Sequence, residues 1–577
     1  MKKKLLPALI VTGLIILVVI IMGITALINK YTPTKKTEDL KEYFNISSDD
    51  EAALIVDNEL SDYKAKIIDK KIYVDYKFVH DSLNSRFYWD ANENVLLYTT
   101  ASDIISAAAD SNSYSVTKQT NDFGYPIVKA TSDSALIALD YVKQYSNITV
   151  KSYDDPARIV ITSKWDEIDS ATVSNSTQIR VKGGIKSPIL KEVKKDDKIT
   201  ILDSGDKWDK VATEDGVIGY IKRKALSESK KTKLTNPDYE EETFTHIKKD
   251  KDICLAWNQV TSQSANSKVP QVISSTKGIN VMSPTWFYLN DNNGNLADIA
   301  SKDYVSYCHS QGIEVWGLFS NLENTDVDAA YVLTHTSTRT TLINQIMSAA
   351  FNYELDGVNI DFENITEAAY GDSYIEFIRE LSIKCHNNGI SLSVDVTVPA
   401  SFNKFFNRSD MANFADYIVI MGYDEHYKGS DAGSVSSIPW VTEGVESTLK
   451  EVPADQIILG MPFYTRIWEL TPKEDDDAVT DTEDQSKYNV ASQVYSMDAA
   501  AAQLATNNAT AALDEESGQN YAEWSASNKL YKVWLEDSTS LEKRLKLVDD
   551  NKLAGAAFWK LGFENSSVWD TVIKYLD

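Results

Sequence analysis

Three cysteines in 577 residues leave no basis for a disulfide framework, because Cys254, Cys308 and Cys385 are odd in number and widely spaced. Each lies in or beside an apolar stretch, so small buried thiols are expected. Histidine is scarce too: the six are scattered, with no CxxC or HExxH arrangement to hold zinc. Positive charge is in deficit, with 58 Lys and Arg against 85 Asp and Glu and a formal net charge of −27. A chain that acidic repels nucleic acid and anionic lipid head groups, and both are excluded as partners. What remains is a folded profile, 43% hydrophobic and 25% charged, too long for one ordinary core. Two to four domains are expected.

Lys2, Lys3 and Lys4 precede an uncharged, mostly apolar run from Leu5 to Ile28. At ~1.5 Å per residue this run can cross a hydrocarbon core of ~30 Å. It exceeds a signal-peptide core of roughly 7–15 residues, and no clear A-x-A site follows. The expectation is a single-pass anchor over residues 1–30, with the membrane held through 5–28, the N-terminus cytoplasmic and the rest extracellular. A cleaved signal peptide and a secreted protein are the alternative.

Residues 31–50 are polar and read as a stalk. Residues 51–166 hold short β-type runs and helical stretches, such as Lys71-Ile-Tyr-Val-Asp-Tyr-Lys-Phe-Val79 and Val95-Leu-Leu-Tyr98, and read as a small α+β domain. Their order resembles the N-terminal stalk domain of some copper amine oxidases, without a copper-binding histidine set. Residues 171–228 read as a small all-β unit: Ile179-Arg-Val181, Lys198-Ile-Thr-Ile-Leu202, Trp208-Asp-Lys-Val211 and Gly216-Val-Ile-Gly-Tyr-Ile221 are separated by turn residues. This unit resembles a bacterial SH3-like module, which implies a cell-wall peptide as ligand; the alternative is a plain spacer. A polar linker, 229–244, follows.

From 245 to 577 short β-branched runs alternate with helix-period segments, the mark of βα repeats around a parallel sheet. Eight runs begin at Ile253, Ile279, Glu314, Gly357, Ser391, Tyr417, Ile457 and Ala554. The α/β class and a (β/α)8 TIM barrel are expected. The fourth run, Asp356-Gly-Val-Asn-Ile-Asp-Phe-Glu363, carries the strongest chemical signal. Alternation puts Asn359, Asp361 and Glu363 on one face and Val358, Ile360 and Phe362 on the other. In a barrel the polar set points inward near the C-terminal rim, where active sites of this fold sit. Two carboxylates two residues apart couple, so that ionising one raises the pKa of the other and suits Glu363 to proton donation.

This segment resembles the D-G-x-D-x-D-x-E motif of glycoside hydrolase family 18, matching Asp356, Gly357, Asp361 and Glu363 and departing at Asn359. The form with Asn resembles the bacterial branch of spore-cortex and peptidoglycan N-acetylglucosaminidases. The resemblance implies substrate-assisted retention: Glu363 protonates the glycosidic oxygen, the substrate's 2-acetamido carbonyl attacks the anomeric carbon, Asp361 stabilises the oxazolinium, and Tyr423 positions the acetamide. No metal or cofactor is required. It also implies substrate contacts from Asp356, Asn359, Met421 and Asp424, from Tyr464 and Arg466 along the cleft, and from Trp559 beneath the −1 sugar. Glu425 and His426 are further cleft candidates, and the acidic stretch within 469–493 reads as an insertion loop, solvated and flexible. The expected substrate is an N-acetylglucosamine-containing polysaccharide, peptidoglycan ahead of chitin; a chitinase or an endo-β-N-acetylglucosaminidase acting on N-glycans is the alternative that shares the mechanism. A non-catalytic chitinase-like lectin is the rival from another class; such proteins typically lose the acid corresponding to Glu363, which this chain keeps.

Overall fold

The structure, a computed structural model, describes residues 2–363, 365, 370–473 and 484–576. It divides into two compact units: one runs up to Trp89 and takes in Ala107–Tyr114 and Thr120–Glu241; the other holds Asp90–Ser106, Ser115–Gln119 and everything described from Glu242 onward.

The second unit is built on a closed ring of eight parallel strands: β1 (Ile253–Asn258), β2 (Val281–Leu289), β3 (Glu314–Ser320), β4 (Gly357–Asp361), β5 (Ser391–Thr397), β6 (Tyr417–Met421), β7 (Ile457–Pro462) and β8 (Gly555–Trp559). Each pairs in parallel with the next, and β8 closes on β1 through Ile253↔Gly555 and its neighbours. All eight are the expected runs. Outward residues such as Val358, Ile360, Leu392, Val394, Ile418 and Ile420 join the helices in one apolar shell. Leu255, Trp257, Trp316, Leu318, Tyr417, Val419 and Ile458 fill the interior. Trp316 and Tyr417 stack there at 5.6 Å between ring centroids. Gly357 is required at the start of β4, because a Cβ there would stand 2.5 Å from the Trp316 ring. The three cysteines are buried free thiols.

Between β7 and β8 the chain leaves the barrel to form a five-stranded antiparallel sheet, in the order Tyr488–Ser496, Tyr464–Pro472, Lys529–Leu535, Gln519–Ala526, Ala512–Asp514. Both flanks of the 469–493 stretch are strands, with Tyr464↔Ser496 through Pro472↔Tyr488 in register, where the sequence suggested loop. Glu474–Asp477 lie outside the described residues. Buried Glu536 ties this sheet to the barrel: it faces Arg544, accepts from Gln519 Nε2 at 2.7 Å and Ser540 Oγ at 2.8 Å, and its own N–H donates to Thr465 Oγ1. Burial nevertheless lifts its pKa to about 7.

The first unit has two sheets of its own. One is seven-stranded and mixed: Glu51–Val56 pairs in parallel with Arg158–Thr162 and antiparallel with Glu59–Ile68. The other is seven-stranded and antiparallel in its named pairings, and it runs from Glu167–Thr172 to Lys230–Lys233, wider than 171–228. The linker's first residues thus form its edge strand. The stalk is not free either: Phe44 is fully buried in the core of this unit, and Glu38 N–H donates to the Ile189 carbonyl. Pro7–Tyr31 has a mean hydropathy of 2.9 and none of its most apolar window is buried in protein. By length and composition it can cross a membrane.

The barrel's own unit reaches back to residue 90, where a side chain caps one of its helices. The helix Thr336–Tyr353 begins after His335, whose side chain makes no capping bond. Asp90 supplies it instead: Oδ2 accepts from the Thr336 N–H at 2.7 Å and its hydroxyl at 2.6 Å, while Oδ1 accepts from the N–H groups of Asn92 and Glu93. Glu93 accepts from the Ser337 N–H at 3.0 Å. Two carboxylates thus satisfy orphan donors at the positive end of an 18-residue helix. Asp90→Ala should destabilise the barrel's unit by about 1–2 kcal/mol, read as a lower denaturant midpoint, with Asp90→Asn losing less.

Candidate active site

Inside the mouth of the barrel the residues of β4 alternate as the pleat requires. Asn359 and Asp361 point inward among polar groups, and Glu363 follows two residues beyond on the rim. Asn359 is fully buried: its Oδ1 accepts from Trp257 Nε1 at 3.0 Å and from Ser283 Oγ at 2.9 Å, and its Nδ2 donates to Asp395 Oδ1 at 2.7 Å. Three of the amide's four hydrogen-bonding positions are thereby taken up by residues of β1, β2 and β5.

Asp361 is buried, and its Oδ1 has no hydrogen-bond partner among the described residues. Burial drives its pKa well above the ordinary carboxylate range, and the charges of Asp395, Glu363 and Glu323 add to the rise. Asp395 is raised likewise by burial, against the opposing hydrogen bond from Asn359. Glu363 has solvent access, yet it stands in a concavity whose walls displace much of its water. That desolvation raises its pKa, helped by Asp424 and Glu323. Glu323 is held by Ser320 Oγ at 2.6 Å. A pocket of about 140 Å³ opens beside Glu363, lined in part by Asp395, Thr397, Phe402, Asn403 and Met421.

Aromatic rings enclose the opposite side. Trp257 lies 6.0 Å from Trp559 and 6.4 Å from Tyr423, centroid to centroid, and Tyr423 lies 6.2 Å from Tyr464. Tyr464 Oη donates to Asp424 Oδ1 at 2.5 Å, and Arg466 Nη2 stands 3.9 Å from the same oxygen. Burial raises the Tyr423 and Tyr464 hydroxyls well above 10, so both remain donors at any physiological pH.

The structure thus gathers Asn359, Asp361, Glu363, Met421, Tyr423, Asp424, Tyr464, Arg466 and Trp559 at one end of the barrel. Asp356 does not belong with them. It precedes β4, at the opposite end of the strand, where its Oδ2 contacts His309 Nε2 and accepts from the Val315 N–H, each at 2.8 Å. About 16 Å of extended strand separates it from Asp361, which makes it a clasp of the barrel floor and not a substrate contact. Glu425 and His426 are also engaged elsewhere. Glu425 accepts from the N–H and hydroxyl of Ser437, at the start of the next helix, and His426 Nδ1 contacts the Asp431 carbonyl at 3.0 Å. Sequence reasoning missed Asp395, Trp257 and Ser283. Asp395 had a readable signal, since Ser391, Ser393 and Asp395 form a polar period-two series on the run that becomes β5.

Residues 325–564 match the family described as Glycosyl hydrolases family 18. The chain is 23% identical over 299 residues to the YvbX glycosylase of Bacillus subtilis, covering 49% of this chain and 81% of that protein. It is 25% identical over 287 residues to the cortical fragment-lytic enzyme of the same species, covering 48% of this chain and 63% of that protein. The chain thus spans less than two thirds of the second relative's length. Among solved structures, the spore cortex-lytic enzyme of Bacillus cereus superposes with a TM-score of 0.50 at 19% identity, over 57% of this chain and 76% of that one, a likeness of fold.

A buried acid whose pKa is raised costs stability once it ionises. The folded state binds the Asp361 proton more tightly than the unfolded state, so this contribution is lost as pH rises from about 4 through the raised folded value. Asp361→Asn should therefore melt above wild type near pH 8 and converge on it near pH 4, read by thermal unfolding across that range.

Proposed function

We propose, on the premise that the barrel is a family 18 glycosyl hydrolase domain, that this chain cleaves β-1,4 bonds of an N-acetylglucosamine-containing glycan by substrate-assisted catalysis. The observation that carries this reading is the buried, unpartnered Oδ1 of Asp361 in a slot between an acid on the rim and a half-buried tyrosine. A buried acceptor without a donor costs free energy unless a ligand supplies the donor. The N–H of a 2-acetamido group has the required polarity, and the Tyr423 hydroxyl can donate to its carbonyl oxygen.

In the first step Glu363 gives its proton to the glycosidic oxygen. The acetamide oxygen bonds to the anomeric carbon as the carbon–oxygen bond breaks, and the leaving sugar departs as an alcohol. In its carboxylate form Asp361 offsets the positive charge of the oxazolinium. Glu363, now a carboxylate, takes a proton from water as that water reopens the ring at the anomeric carbon. Asp424, steadied by Tyr464 and Arg466, and the ring of Trp559 hold the sugar over the slot.

Peptidoglycan is the proposed substrate. The family match and the names of the relatives support it, as does an apolar N-terminal helix that we assign as a single-pass anchor keeping the barrel outside the membrane. Wall peptide at the upstream β-module belongs to the same reading.

Full-length protein with Glu363→Gln should lose about 10²–10⁴-fold in turnover while retaining glycan binding, and wild type should leave new reducing ends at N-acetylglucosamine. Cutting of chitin oligomers but not peptidoglycan would replace the substrate and keep the mechanism; binding without cutting of either would favour the lectin. Glu323→Gln removes a negative charge that raises the Glu363 pKa. Its kcat/KM profile should keep its shape while the alkaline limb moves to lower pH.

A further inference from the structure

The charge of the whole chain conceals a local reversal. Residues 177–233 carry 15 Lys and Arg against nine Asp and Glu, an excess of six positive charges in a chain of net −27. Part of that excess is organised. Trp208 pairs across the sheet with Lys222, whose Nζ lies 5.8 Å from the indole centroid. Gly183 packs so tightly on Trp208 that a Cβ would stand 3.1 Å from the Trp208 Cβ, which brings the turn Lys182–Lys186 against the same indole. Lys182, Lys186, Lys207, Arg223 and Lys224 are exposed around it, and Trp208 is half-exposed. Arg223 also pairs with the buried Asp209, and Asp206 is the acidic neighbour on the hairpin.

This patch is placed at the exit of the N-terminal helix. Lys186 Nζ donates to the carbonyl oxygens of Asn29 and, at 2.7 Å, Thr32, the last turn of that helix. The Thr34 N–H donates to the Ile185 carbonyl, and Arg180 Nη1 reaches the Thr34 carbonyl. An ammonium on the last carbonyls of a helix is a cap suited to its negative end. Lys30 and Tyr31 occupy the same level, with Tyr31 two-thirds exposed and the Lys30 ammonium 5.8 Å from its ring centroid. Paired Lys and Tyr at a span end mark a membrane–water interface.

We infer that the β-module rests its Trp208 face on the bilayer, with Lys182, Lys186, Lys207, Lys222 and Lys224 against anionic phospholipid head groups. The inference rests on the anchor reading above. It also corrects the exclusion of anionic lipid drawn from net charge: at a Debye length of ~8 Å the head groups respond to the local patch and not to acids farther off. Each lysine at such a surface adds attraction, and an indole is amphipathic enough to sit at the head-group level. The partner chosen is the membrane and not a soluble wall polyanion, because the patch is joined to the helix end through Lys186 and Thr34.

The test uses the full chain in nanodiscs of phosphatidylcholine alone or with phosphatidylglycerol, followed by amide hydrogen exchange. Segments 182–187 and 207–210 should exchange at least about tenfold more slowly with phosphatidylglycerol, and this protection should vanish in high salt. The triple variant Lys182→Glu, Lys207→Glu, Lys224→Glu should lose the protection while exchange in the barrel is unchanged. Equal exchange in both discs overturns the inference. So does protection conferred in phosphatidylcholine discs by soluble poly(glycerol phosphate) and absent with phosphatidylglycerol, which would make the partner a polymer. Incorporation into discs, resistant to alkaline carbonate, reads the anchor separately: its failure removes both readings, whereas incorporation without lipid-dependent protection removes only this one.

Discussion

The Asn359 amide is the point on which the mouth of the barrel depends. It accepts from Trp257 on β1 and Ser283 on β2 and donates to Asp395 on β5, so one buried side chain joins four strands of the ring. Its consequences spread outward through rigid groups. With the Trp257 ring fixed, the packing partners Tyr423 and Trp559 have a wall to lean on. With Asp395 fixed, its charge bears on Asp361 from a constant position and adds to the rise in pKa that burial causes. An aspartate at 359 could accept the same two hydrogen bonds but would face Asp395 with a second carboxyl, and the pair would have to hold a further proton. Asparagine leaves the cluster one proton simpler.

A similar economy governs the insertion between β7 and β8. Tyr464 is the first residue of the inserted sheet, and its hydroxyl holds Asp424 on the loop after β6. Its position depends on the junction where Thr465 and Gln519 meet the Glu536–Arg544 pair. A buried ion pair contributes little net stability, but removing one partner leaves an uncompensated charge. The junction thus fixes orientation more than it stabilises, and what it orients is an aromatic wall of the cleft.

Much of this was legible in the sequence, and the failures have physical causes. The eight strands were readable because runs covered on both faces show as short β-branched blocks, and Asn359 and Asp361 because strand alternation is strict. Asp356 was assigned to the substrate because it belongs to the motif, although it precedes the strand and so lies at the end away from the C-terminal rim. The polar series Ser391, Ser393, Asp395 marked an inward face, but its partner became visible only with β5 set beside β4 in register, Asn359 opposite Ser393. Residues 469–472 and 488–493 were read as part of a loop because the acidity of the segment between them was extended to its flanks. The Asp90 cap joins residues 246 positions apart, a separation at which local patterns carry no signal.

The placement of the two acids on one strand also bears on the chemistry. In a double displacement between two carboxylates, the acid and the nucleophile approach the sugar from opposite faces, about 5–5.5 Å apart. Asp361 ends β4 and Glu363 follows two residues beyond it, so both acids reach the site from the same edge of the barrel mouth. Asp361 is also the deeper of the two and the more buried. A group so placed is poorly situated to attack from the face opposite Glu363, but well situated to hold something that does. A nucleophile carried by the sugar itself, on the carbon next to the reacting centre, satisfies the geometry. Its N–H would meet the one Asp361 oxygen that the protein leaves without a donor. The unsatisfied atom and the one-sided acids both support the proposed substrate-assisted reaction, one on energetic and one on stereochemical grounds.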